Sequence, residues 1–254
     1  MKKIFIDVGG YEGDASLAAL DPIFGFDQVY CFEPVKKCVD HIQNRISDTR
    51  IEVVHAALAD FDGEARLFGP GTVAGSLFSD HQHVDNSTVE SCKVIRATDF
   101  IKPFTDNGAE VYIKLNCEGA EVPIVHDLLM SGTFAKLKSV LLDLDARKIP
   151  SLAARLEIVE TELAKISDRN WYYPEEVQYG QQCTFGGIRN WLFVAGATTS
   201  QGSGKFSSFR YNLALWNKRE FRGYYKFLLV RKLPASVMTT YYRYIRPRFH
   251  ASGK

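Results

Sequence analysis

The chain has no stretch approaching the roughly 18 to 20 consecutive apolar residues that cross a bilayer, and no charged-then-apolar leader precedes its first apolar run at residues 3–8. A cytoplasmic location is expected. Its five cysteines, Cys31, Cys38, Cys92, Cys117 and Cys183, are odd in number and include no CxxC pair. That argues against both a disulfide framework and a zinc knuckle, and leaves buried thiols as the expectation. Acidic residues almost vanish from the last fifty positions, where Glu220 alone stands against 12 Lys and Arg.

What is present fits one main globular domain: 254 residues, 46% hydrophobic and 24% charged, suffice for one sizeable core. The net charge of +1 hides an asymmetry, because residues 1–204 carry 19 basic against 29 acidic side chains. Composition breaks at the same place, where TTSQGSGKFSS (198–208) is rich in Gly and Ser, as a linker is. We therefore divide the chain into a domain over 1–198 and, over 199–254, a linker with a basic, aromatic, helical extension.

Short apolar runs alternate with longer amphipathic ones, as in a doubly wound α/β sheet. KIFIDV (3–8), QVYCF (28–32), IEVVHAAL (51–58), EVYIKLN (110–116) and SVLLDLD (139–145) read as strands, and KKCVDHIQNRIS (36–47) as a helix. After a hairpin-like DGEARLF (62–68), residues 69–90 form a long polar segment with little periodicity, read as a mobile loop; loops of that length are often functional.

The chemistry starts at FIDVGGYEGD (5–14), where an apolar strand ends in Asp7 and opens into a turn with Gly9, Gly10 and Gly13. Glu33, at the tip of the next strand, suits both hydroxyls of a ribose. An ordinary strand-to-helix turn explains the glycines but not Glu33. The dinucleotide fingerprint G-x-G-x-x-G requires glycine at position 8, and Val8 is there. That speaks against a nicotinamide-dependent oxidoreductase. The observed D-x-G-x-x-x-G suits S-adenosylmethionine, which has no pyrophosphate to set against a helix N-terminus. A second polar cluster, KLNCEGAE (114–121), puts Lys114, Asn116, Glu118 and Glu121 around a turn at Gly119, and the fifth strand adds Asp143 and Asp145. First-turn helix acids are the plain alternative for Glu118 and Glu121.

These residues resemble those of the FkbM-type methyltransferases, a branch of the class I S-adenosylmethionine-dependent enzymes, over about residues 3–196. FIDVGGYEGD stands where that family shows D-x-G-A-N-x-G-D, and IKLNCEGAE (113–121) where it shows I-K-x-D-x-E-G-x-E; CFEP (31–34) and AALAD (56–60) followed by Gly63 add to the match. The resemblance implies a Rossmann-like seven-stranded sheet ending in an antiparallel pair, with TFGGIRNWLFVAG (184–196) as its final strand. It also implies that Asp7, Gly9, Gly10, Tyr11, Gly13, Glu33, Pro34, Ala57, Leu58 and Asn116 bind the cofactor. Tyr11 replaces the usual asparagine and Asn116 the usual aspartate. An amide at 116 accepts a hydrogen bond but brings no charge to a cofactor ammonium or a divalent metal, so a metal is not favoured. A pocket that binds without turning over is one alternative.

Methyl transfer to a hydroxyl needs alignment and late removal of a proton. Glu118 is the first candidate base and Asp143 the second; His81, His83 and His126 rank below them, the first two depending on closure of the 69–90 loop. The resemblance implies hydroxyls of sugars, glycans or small metabolites as acceptors. Trp171, Tyr172, Tyr173 and Trp191 suit either stacking on sugar faces or core packing. In 205–254, 12 basic and 12 aromatic residues suit docking on the acidic domain or self-association, an anionic membrane surface, or nucleic acid. Nucleic acid, and with it an RNA or DNA methyltransferase, ranks lower because no N-P-P-[YF] string stands at Asn116.

Overall fold

The structure, a computed structural model, describes residues 1–177 and 185–199. The linker and basic extension beyond 199, together with Cys183 and Thr184, lie outside the described residues. In chain order the elements are β1 (Lys3–Val8), α1 (Asp14–Ala19), β2 (Gln28–Phe32), α2 (Lys36–Arg45), β3 (Ile51–Val54), β4 (Ala57–Ala59), β5 (Gly63–Phe68), β6 (Val89–Arg96) and α3 (Ala97–Asp106). There follow β7 (Glu110–Leu115), α4 (Glu121–Met130), β8 (Ser139–Leu142), single-turn 3-10 helices at Asp145–Lys148 and Pro150–Leu152, α5 (Ala153–Ala164), β9 (Trp171–Tyr172), α6 (Pro174–Val177) and α7 (Phe185–Val194).

Six strands form the main sheet in the order β3-β2-β1-β7-β8-β9, every pair parallel. Such a sheet is covered on both faces. Ile4, Ile6 and Val8 of β1 and Val111, Ile113 and Leu115 of β7 point to one side, into a core with Ile101 of α3 and the apolar residues of α4 and α5. Phe5, Tyr112 and Leu141 point to the other, against α1, Phe24, Phe26 and α7. The chain reverses its winding between β1 and β7, and ligands of open α/β sheets bind beyond the carboxyl ends of the strands at that point.

Three expectations change. The run 51–58 is not one strand: it breaks after Val54, and Ala57–Ala59 leaves for a separate sheet of order β4-β6-β5, in which β6 pairs parallel with β4 and antiparallel with β5. The expected final strand at 184–196 is helix α7. Its buried Ile188, Trp191 and Leu192 recur at helical spacing, and Trp191 packs 6.1 Å from Phe5 and donates Nε1–H to Ser139 Oγ at 3.1 Å. Among the described residues the sheet therefore has six parallel strands and no antiparallel pair at its edge.

Candidate active site

The glycine turn is where three strand ends meet. Gly9 and Gly10 both donate their N–H to Phe32 O at 3.1 Å, tying β1 to β2. A Cβ on Gly9 would lie 1.9 Å from the Asn116 carbonyl oxygen, and one on Gly10 would lie 2.4 Å from Cys31 Sγ. No side chain fits at either position. Two non-glycine residues have left-handed backbone among those described, Tyr11 (φ 45) and Glu118 (φ 52). Both border the same cavity, and strain of this kind collects at functional sites.

Beneath the turn, Asp7 is fully buried. Its Oδ2 accepts the Ser16 amide at 3.1 Å and the Ser16 hydroxyl at 2.8 Å, fastening α1 to β1. Its Oδ1 lies 3.0 Å from Lys114 Nζ, which also donates to the carbonyls of Val8 at 3.1 Å and Gly9 at 2.7 Å. Asp7 thus shapes the turn from below rather than lining the cavity; Gly13, the N-cap of α1, also stands outside the lining. Lys114, placed by the sequence in the polar cluster 114–121 but given no role there, is Asp7's partner across the sheet.

The cavity encloses about 360 Å³ at the carboxyl ends of β1, β2 and β7, within the usual range of small-molecule sites. Glu33 lines it. It is 5% exposed, and its Oε2 accepts the Tyr11 amide at 2.8 Å while Oε1 accepts the Val35 amide at 2.9 Å. Burial pushes its carboxyl above the usual range against the pull of those amides and of Lys114. Two oxygens held by one amide each keep lone pairs for further donors. Pro34, Ala57, Leu58 and Asn116 border the same space. Its opposite wall comes from β5 and the 69–90 segment, through Leu67, Thr72, Val73 and Leu77. Its acidic and basic lining is Glu12, Asp14, Glu33, Glu118 and Lys114, of which Asp14 is paired with Arg45 at 2.6 Å.

Glu118 also lines the cavity and is gripped by two buried residues of the otherwise largely exposed 69–90 segment, Ser76 and His81. Ser76 Oγ–H donates to the Glu118 carbonyl at 2.6 Å, and His81 Nε2 lies 3.1 Å from Glu118 Oε2. Burial, then the charge of Asp145, push the Glu118 carboxyl up to about 8. Burial and Lys148 hold the His81 imidazole below its ordinary value, so the ring is neutral. Glu121 plays a different part: its oxygens accept the amides of Cys117 and Gly119, closing the turn into α4, and burial raises its pKa to about 7. That is the helix-start role, and it applies to Glu121 but not to Glu118.

Asp143, the second candidate base, is pushed up to about 7 by burial and by Asp145, yet it does not line the cavity. His83 packs edge-on against His81 at 5.9 Å, and His126 Nδ1 meets Arg155, which is bound to Asp60. Neither borders the cavity. Nor do the aromatics considered for sugar stacking: Trp191 is core, and Trp171 packs on Tyr173 at 5.0 Å beneath the Arg169 guanidinium. Among the described residues no group of three or more His, Cys, Asp or Glu is set as metal ligands, and no helix is long and apolar enough to cross a membrane.

No family model matches the chain, and no curated protein matches it. Among solved structures the chain is similar to the crystal structure of methyltransferase FkbM from Methylobacillus flagellatus KT, with a TM-score of 0.43 and 19% identity over 66% of this chain. The match spans 38% of that protein's chain. A likeness this distant decides neither activity nor substrate.

Proposed function

We propose that the chain is an S-adenosylmethionine-dependent O-methyltransferase acting on a hydroxyl of a sugar, a glycan or a small metabolite, with Glu118 as the base. The observation that carries this reading is one cavity of about 360 Å³ at the sheet's switch point whose lining includes both Glu33 and Glu118. Glu12 and Glu33 in its lining suit a ligand bearing a sulfonium and an ammonium. A pyrophosphate would instead meet Asp14 in the first turn of α1, where an anion-binding helix end should be free of like charge.

S-adenosylmethionine, when bound, supplies an electrophilic methyl group to the acceptor oxygen. Glu33 is the residue to hold ribose hydroxyls, because its backbone donors fix the carboxylate and leave lone pairs open. The Gly9–Gly10 turn brings main chain against the ligand without side chains in the way. The Asn116 side chain adds an amide beside it. Glu118 takes the proton that the acceptor hydroxyl releases, and its raised affinity for protons matches that task near neutral pH. The test is incubation with methyl-labelled S-adenosylmethionine and a panel of sugars and hydroxylated metabolites. Label in an ether product, lost in Glu118→Gln, supports the reading; label in no acceptor, or transfer indifferent to Glu118, counts against it.

A further inference from the structure

We propose that His81 is a positioning residue for Glu118: its imidazole N–H holds one carboxylate oxygen of Glu118. This rests on the reading of Glu118 as the base. The His81 side chain is wholly buried, a costly place for a polar ring without a partner. Its Nδ1 accepts the backbone N–H of His83 at 3.2 Å, so the proton of the neutral ring sits on Nε2. Nε2 lies 3.1 Å from Glu118 Oε2, at hydrogen-bond distance though off the line of a well-aligned bond. Contacts of that kind often straighten only when ligands fill a site.

The ring is held from outside the site. Asp80 accepts the Ser151 amide at 2.7 Å and its hydroxyl at 3.0 Å, and the Gln82 N–H donates to Lys148 O at 3.0 Å. Ser76 meanwhile fixes the Glu118 carbonyl. One chain segment therefore grips Glu118 at both backbone and side chain, at one of the two non-glycine positions with left-handed φ among the described residues. From the 3-10 turn Asp145 is hydrogen-bonded to the Glu118 side chain and Lys148 Nζ lies 4.0 Å from Glu118 Oε2; Glu121 of α4 also acts on Glu118, and His83 and Asp80 act on His81.

Carbon-13 carboxyl titration of Glu118, assigned with Glu118→Gln, reads this contact with no acceptor needed. It is made on the protein alone and with S-adenosylhomocysteine, for wild type, His81→Ala and His81→Gln. An N–H bond to the ionised carboxylate favours that form, so His81→Ala should raise the Glu118 midpoint by about one pH unit. His81→Gln, which keeps a donor, should return it most of the way. A midpoint that stays or falls in His81→Ala, or moves equally in both variants, overturns the proposal. Nitrogen-15 shifts of the wild-type ring give a check that no misfolded variant can spoil: a neutral Nε2–H tautomer through pH 6 to 8 supports it, and a freely titrating ring refutes it. Failure of the wild type to bind S-adenosylhomocysteine would instead remove the methyl-transfer reading, while the titration of the unliganded protein still decides the His81 contact.

Discussion

Lys114 Nζ lies 3.0 Å from Asp7 Oδ1, and the two residues are register partners on neighbouring strands, both almost wholly buried. Removing one member of such a pair strands the other charge. Lys114→Met should cost about 3–5 kcal/mol in urea unfolding. Combining it with Asp7→Asn should cost less than the two single changes added together. A loss under about 1 kcal/mol in Lys114→Met would mean that Asp7 is satisfied by Ser16 alone.

Two glycines separate close approach from backbone freedom. Gly9 and Gly132 both have positive φ, but a Cβ at Gly132 meets nothing within 4 Å, whereas at Gly9 it meets the Asn116 carbonyl. Gly132→Ala should cost about 1 kcal/mol, the penalty of left-handed backbone for a residue with a Cβ. Gly9→Ala should cost well above 2 kcal/mol, because β1 and β7 must also part. Equal losses would show that the strand ends have room to spare.

Tyr11, 40% exposed, occupies a left-handed position at the cavity. Asparagine tolerates that backbone better, so Tyr11→Asn should stabilise the fold by roughly 0.5–1 kcal/mol in thermal or urea unfolding. Destabilisation would mean that the tyrosine ring contributes packing beyond what its exposure suggests.

The pH dependence of stability should run downward through neutrality. Glu118 is pushed up to about 8, and Glu121 and Asp143 to about 7, by burial before any other cause. A folded state with raised carboxyl pKa values binds more protons than the unfolded chain. Its advantage is thus full below about pH 4 and drains away as pH rises to about 8. Glu118→Gln, which cannot ionise, should gain on wild type between pH 5.5 and 8 in parallel unfolding curves. A constant difference between the two proteins at both pH values would place the Glu118 pKa near normal. Methyl transfer in the wild type should show the opposite trend, rising toward pH 8 as the base ionises.

The convergence of polar strand ends was legible in the sequence. Asp7, Glu33 and Glu118 each follow an apolar run, and parallel pairing brings those ends to one edge. The course of 51–58 was not, because its apolar residues fit one strand or two, and only pairing with β6 decides that Ala57–Ala59 turns away. The strand expected at 184–196 came from the family resemblance, not from the spacing of its residues. Its β-branched and aromatic residues suit a strand, while the spacing of Ile188, Trp191 and Leu192 suits the helix that forms. Ser76 and His81 reach Glu118 from about forty residues upstream, and no local pattern announces a contact over that separation.

The measurement closest to the central claim is calorimetric titration of the full chain with S-adenosylmethionine, with NAD as control and Glu33→Ala, checked for folding by circular dichroism, alongside. We predict binding of S-adenosylmethionine and not of NAD, weakened by about 1–3 kcal/mol in Glu33→Ala through loss of the buried hydroxyl acceptor. Absence of S-adenosylmethionine binding, or binding indifferent to Glu33, would contradict the assignment of this cavity to a methyl donor.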